Sequence, residues 1–151
     1  MNKNKIVLVF TTLGLWAGAA SAAEMDAKQV TIAAKALGFL TVKAPAGAKV
    51  VVTAGAAPVA AVQAALPAAA VAAGDAAPGA YAVFVSSAAE GKKALAKGTV
   101  TVGNEVACVD AGACVIAVET TPKVTIYVSK AAAAAAGVEF DPNFKMMVTE
   151  K

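Results

Sequence analysis

The chain contains no histidine. That absence removes the commonest general base, the commonest metal ligand and the one side chain that ordinarily titrates near neutral pH. Arginine is missing as well, so all 13 basic residues are lysines. The planar fork favoured for bidentate contacts with phosphates and base edges is therefore unavailable. Aromatic residues are scarce: one Trp, two Tyr and five Phe in 151 residues. Cysteine is limited to Cys108 and Cys114. These gaps argue against an enzyme, a nucleic-acid binder and a metal protein. No cofactor is expected.

What is present is small and apolar. Hydrophobic residues make up 59% of the chain, and much of that is Ala and Val. The length is that of one domain. Its core is expected to be close-packed from small side chains, with Val and Leu supplying most of the apolar area.

Met1–Ala23 reads as a secretory signal peptide. Lys3 and Lys5 form its charged start and Ile6–Trp16 its apolar run, which is too short to span a bilayer core comfortably. Ala20-Ser21-Ala22 fits the small-x-small cleavage pattern, with the cut after Ala22 or Ala23. An uncleaved anchor is the rival reading, and the Ala-Gly-Ala-Ala-Ser-Ala-Ala run speaks against it. No Cys follows the apolar run, so a lipidated mature N-terminus is not expected. The remaining 24–151 domain is expected to be periplasmic, with no stable membrane insertion after cleavage. Without Lys3 and Lys5, 11 lysines face 10 acids, a net charge of about +1. That is too little to attract nucleic acid or an anionic membrane.

The mature part opens with a helix pattern over Glu24–Leu40, with Glu24 and Asp26 placed in its first turn. Lys49–Thr53 is a β-branched run typical of a strand buried on both faces. Pro58 opens a second helix reaching Leu66. Pro67–Ala73 is left as either weak strand or loop. Tyr81–Val85 is a buried strand, and Ser87 is set to cap a helix over Ala88–Ala96, with Glu90 at the capping-box offset. Thr99–Val102 is a further strand. Val115–Glu119 and Lys123–Val128, separated by Thr120-Thr121-Pro122, read as a hairpin. Ser129 caps the Ala-rich helix that Gly137 ends, and Asp141-Pro142 opens a last helical turn through Met147. The fold class is α/β: a single small domain with a mainly parallel sheet flanked by helices and a C-terminal antiparallel hairpin strand.

Open parallel sheets bind ligands beyond the strand carboxyl ends. Thr53, Gly55, Ser86, Ser87, Gly103 and Asn104 are therefore the candidate ligand-binding positions. Ordinary strand-end turns and helix caps are the plainer reading of the same residues. Cys108 and Cys114, six apart with Gly112 between them, suggest a disulfide in an oxidising compartment. Closing so short a loop contributes roughly 2 kcal/mol on the chain-entropy account. Two reduced, buried thiols are the alternative. A structural staple and a redox sensor both remain open as roles for the bond. Two thiolates without His leave a zinc site unfilled. Tyr127, Phe140, Phe144, Met146 and Met147 cluster near the C-terminus as core residues whose exposed remainder would form a partner surface.

The order of elements resembles the YfiR-like family of bacterial periplasmic proteins. The likeness rests on a helix before the first strand, Val30–Leu40, and on YAVFVSS at Tyr81–Ser87. It continues in Gly98–Val102 leading to Gly112-Ala113-Cys114-Val115-Ile116, and in the closing stretch Lys123–Met147. The family's aromatic-Trp-Pro run is replaced by Lys43-Ala44-Pro45. One cysteine pair also stands where the best-known members have two. The resemblance implies a disulfide in this place. It also implies a non-enzymatic regulator that restrains a membrane-bound diguanylate cyclase by binding its periplasmic part. An inner-membrane signalling protein is thus the expected partner, and a homodimer is left open. A periplasmic small-molecule carrier and an exported structural protein without a ligand are the competing readings. Mass spectrometry of the exported protein should find a chain beginning at Ala23 or Glu24. Recovery of an intact Met1 chain with the membrane would instead establish the anchor.

Overall fold

The computed structural model describes residues 23–151. The signal-peptide reading for Met1–Ala23 lies outside the described residues except for Ala23 itself.

Three short apolar runs make the centre of the sheet: β1 (Lys49–Val52), β3 (Ala82–Phe84) and β4 (Val100–Gly103). Apart from Lys49 at the start of β1, every residue of these strands is buried, as expected where helices cover both faces. β2 (Ala70–Ala73) pairs with β1 on its other side. β5 (Ile116–Glu119) follows β4, then β6 (Thr125–Val128), and β7 (Thr149–Glu150) closes the far edge. The order is β2-β1-β3-β4-β5-β6-β7, parallel throughout except for the antiparallel β5–β6 hairpin.

Among the described residues six helices complete the layers: α1 (Ala27–Leu37), α2 (Val59–Ala65), α3 (Ala88–Ala94), α4 (Val106–Asp110), α5 (Lys130–Ala136) and α6 (Pro142–Lys145). The larger core packs Val50, Val52, Phe84, Val102, Ile116 and Val118 against α1, α2, α5 and α6. On the opposite face Val51, Val83, Val85 and Ala117 pack against α3, α4 and the two cysteines.

Local chemistry sets the helix limits. Asp26 caps α1 through Gln29 N at 2.8 Å, and Gln29 Oε1 accepts from Asp26 N at 3.0 Å. Asp26 thus precedes the first turn instead of lying within it, and Glu24 is outside the helix. Ser129 Oγ accepts from Ala132 N at 3.0 Å to start α5, and Gly137 ends it with φ 65°. Pro58 stands at the N-cap of α2, one position before the helix proper.

Two glycines are required by close approach. A Cβ on Gly91 of α3 would lie 2.6 Å from the Ala113 carbonyl oxygen. A Cβ on Gly103 would lie 2.8 Å from Cys114 Sγ and 3.3 Å from Cys108 Cβ. Both contacts are far inside van der Waals distance. Gly103→Ala should therefore lower the unfolding free energy by about 2–3 kcal/mol, the cost of overpacking a rigid site. Urea denaturation of the oxidised protein measures it, with the exposed Ala54→Ser as a control expected to stay within about 0.5 kcal/mol.

Candidate functional site

The strand order reverses at β1: the chain places β2 on one side and then β3 on the other. In open α/β sheets that reversal opens a crevice at the carboxyl ends of the two strands. Thr53 follows β1 here and is buried at 3% exposure. Ser86 and Ser87 follow β3.

Ser87 caps α3, its Oγ accepting from Glu90 N at 3.2 Å. The Glu90 carboxylate does not return to the Ser87 amide to complete a capping box. Instead Oε2 alone accepts from Thr53 Oγ1 at 2.7 Å, Ser86 N at 2.8 Å and Ser86 Oγ at 2.9 Å. Partial burial pushes the Glu90 carboxyl up. The hydrogen bonds from Thr53 and Ser86, with the Lys93 charge, outweigh that and hold it below the usual carboxylate value. The result is an ionised clamp joining β1, β3 and α3. A depressed pKa and an oxygen already accepting three hydrogen bonds make it a weak general base. Sequence reasoning had Glu90 only as a helix cap. The missed signal was its place one turn into a helix that starts beside the hydroxyl ending the neighbouring strand.

The other strand-end positions serve separate places. Gly55 lines an open cleft of about 420 Å³ with Thr53, Val59, Gly74 and Asp75. Gly103 lies under the cysteine pair. The Asn104 side-chain amide donates to the Ala23 carbonyl, holding the chain that leads into α1. The six residues thus divide among a clamp, a cleft, a packing contact and a tether.

Cys108 of α4 and Cys114 in the loop before β5 are at disulfide distance, Sγ to Sγ 1.93 Å with Cα atoms 5.2 Å apart. Cys108 is 5% exposed and Cys114 fully buried. Thr101 secures the same loop, donating to the Ala113 carbonyl at 2.8 Å and accepting from Val115 N at 3.1 Å. Thiol–disulfide exchange needs access to a sulfur, so this burial favours the structural staple.

The C-terminal apolar cluster does not form one surface. Tyr127 packs on the α3–α4 face of the sheet, with its hydroxyl 3.3 Å from Glu119 Oε2. Phe140 and Phe144 are core residues of the opposite face. Met146 and Met147 are the exposed remainder, at 80% and 66%. Two residues absent from that cluster are exposed as well. Phe39, half-exposed, stacks on Phe144 with ring centroids 4.7 Å apart. Val42 is 69% exposed. The Phe39–Thr41 segment is tied to Glu139–Asp141 by Thr41 N to Glu139 O and Asp141 N to Phe39 O, both 2.9 Å. Val42 also lines an apolar groove of about 170 Å³ with Leu40, Tyr81, Val100 and Val138. This groove lies at the amino ends of β3 and β4, opposite the Glu90 clamp.

Among the described residues no group of three or more His, Cys, Asp or Glu is arranged to hold a metal ion. None of the helices there is long and apolar enough to cross a membrane. Compared with known protein families, curated proteins and solved structures, the chain finds no match.

A depressed carboxyl pKa contributes stability above the unfolded-state value, and that stability is lost as pH falls through the folded value. Glu90→Gln should therefore be less stable than wild type at pH 7, with the gap closing as the solution is acidified. Urea titrations at pH 7 and in the acid range test this. A gap independent of pH would mean that the charge of the clamp contributes nothing.

Proposed function

We propose that the chain is an exported, non-enzymatic binding protein that acts on a protein partner in the bacterial envelope. The observation carrying this reading is the exposure of the large apolar side chains Phe39, Val42, Met146 and Met147. Stacking on Phe144 gives Phe39 a rigid base. The two methionines are adaptable side chains suited to a protein surface. A net charge of about +1 after signal removal leaves apolar contact as the main attraction. The cysteine pair at disulfide distance accords with an oxidising compartment. Under the YfiR-like resemblance, the partner is an inner-membrane signalling protein with a periplasmic domain, and binding restrains its activity.

The carrier reading is supported by the cleft at Thr53 and Gly55. It is weakened by the use already made of its neighbours: Ser86 serves Glu90, and Gly103 serves the cysteines.

Affinity capture from detergent-solubilised envelopes separates the two. The wild-type protein should recover one inner-membrane signalling protein in about equal amount. Met146→Glu/Met147→Glu should lose it with an unchanged melting temperature, because both side chains lie in solvent. Cys108→Ser/Cys114→Ser should keep it if the bond is a staple and the variant remains folded. Failure of the wild type to recover such a protein would overturn the regulator reading and direct ligand screening to the cleft.

A further inference from the structure

At the amino ends of β3 and β4 the chain brings its smallest residues together. Gly98 N donates to Ala136 O at 2.8 Å, which ties the end of α5 to the approach to β4. Gly98 and Gly137 have φ 85° and 65°, and a Cβ added at Gly98 would meet nothing within 4 Å. Ala136, Gly137 and Gly98 thus contribute no side chain larger than a methyl, and the space beside them stays unfilled. This is the groove of about 170 Å³ walled by Leu40, Val42, Tyr81, Val100 and Val138. An apolar cavity of about 150 Å³ is enough to hold benzene.

The charge that lines this groove is of one sign. Lys97 is its sole charged residue, and the Lys97 stem runs beside Gly137 at the groove's edge. Among the described residues the Lys97 ammonium enters no salt bridge. Tyr81 adds a hydroxyl without a hydrogen-bond partner among the described residues. No such atom there is both unpartnered and buried, so this hydroxyl opens to solvent. Partial burial pushes the Tyr81 pKa up, which keeps the group a donor. Two unused donors therefore stand beside apolar walls. Three other clefts each carry a carboxylate: Asp75 in the one at Thr53, Glu139 in the one between α5 and α6, and Glu119 in the one at Gln29.

We propose that this groove is a binding site for a small monocarboxylate with an aromatic body, its ring among Val42, Val100 and Val138 and its carboxylate on Lys97 and the Tyr81 hydroxyl. A single ring matches the volume, and an anion matches the one charge in the lining. An amine would set its ammonium against Lys97 with no acid in the groove to receive it. An inorganic anion would leave the apolar walls in water. The site lies at the opposite end of the sheet from the cleft at Thr53 and Gly55. Binding here needs no protein partner, so it stands apart from the regulator reading.

Titration of the purified protein with hydrocinnamate, followed through amide resonances in two-dimensional NMR, should give saturable shifts at Val42, Gly98 and Val138. Phenylpropylamine, of the same shape and opposite charge, should bind about tenfold more weakly. Lys97→Glu should invert that order while leaving the melting temperature unchanged, because Lys97 is exposed. Tyr81→Phe should weaken the acid about threefold and leave the amine unaffected. The proposal is overturned if hydrocinnamate gives no saturable shifts, if its shifts fall only around Thr53 and Asp75, or if the wild type binds acid and amine equally. If Tyr81→Phe fails to fold, the inversion in Lys97→Glu decides.

Discussion

The α3–α4 face of this fold depends on two backbone positions that come closer to their neighbours than a Cβ would permit. α3 can lie on the loop before β5 only because residue 91 is glycine, and α4 can fold over the end of β4 only because residue 103 is. The bond between Cys108 and Cys114 crosses this crowded place, and Thr101 fastens the loop from beneath. The larger core uses the same economy, with Ala33, Ala36, Ala132 and Ala136 buried where helices meet the sheet. Small contacts gain little apolar area each, so stability has to come from their number and closeness.

The two ends of the sheet divide the chemistry. At the carboxyl ends the polar groups are largely spent on one another. One carboxylate oxygen collects the hydroxyls and amide that a ligand would otherwise meet. At the amino ends and along the α1–α6 seam, apolar side chains are left in water. A binding protein reading follows from that contrast more readily than from any single residue.

The central strands buried on both faces are legible in the sequence, and so is the half-exposed hairpin strand β6. Val50–Val52, Val83–Phe84 and Val100–Val102 announce themselves by β-branching and by the turns around them. Ser129 and Gly137 were equally legible, because caps act locally. β2 was ambiguous because Ala has no preference for a strand, and Ala70–Ala73 becomes one through pairing with β1. α4 went unread because Val106–Asp110 is short and is held by its contacts with the cysteines and β4. At the site, the strand-end positions Thr53 and Ser86, named as ligand-binding candidates, both hydrogen-bond to Glu90 Oε2. Glu90 was given its helix role because sequence offset cannot show which of two nearby donors a carboxylate will choose. Tyr127 was grouped with Phe140 and Phe144 by proximity in sequence, but strand alternation puts it across the sheet.

The strand order also governs how assembly proceeds in time. Once β1 and β3 have paired, every later strand settles beside its immediate predecessor, from β4 through β7. Loop closures on that side stay short, which favours rapid growth of the sheet. α1 is the exception. Its Gln29 side chain donates to the Val118 carbonyl, 89 residues further along the chain. α1 also packs on α2, so its apolar face is covered in part before β5 arrives and completed only by β5. Until then, the side of α1 that faces β5 is apolar surface open to association with other chains.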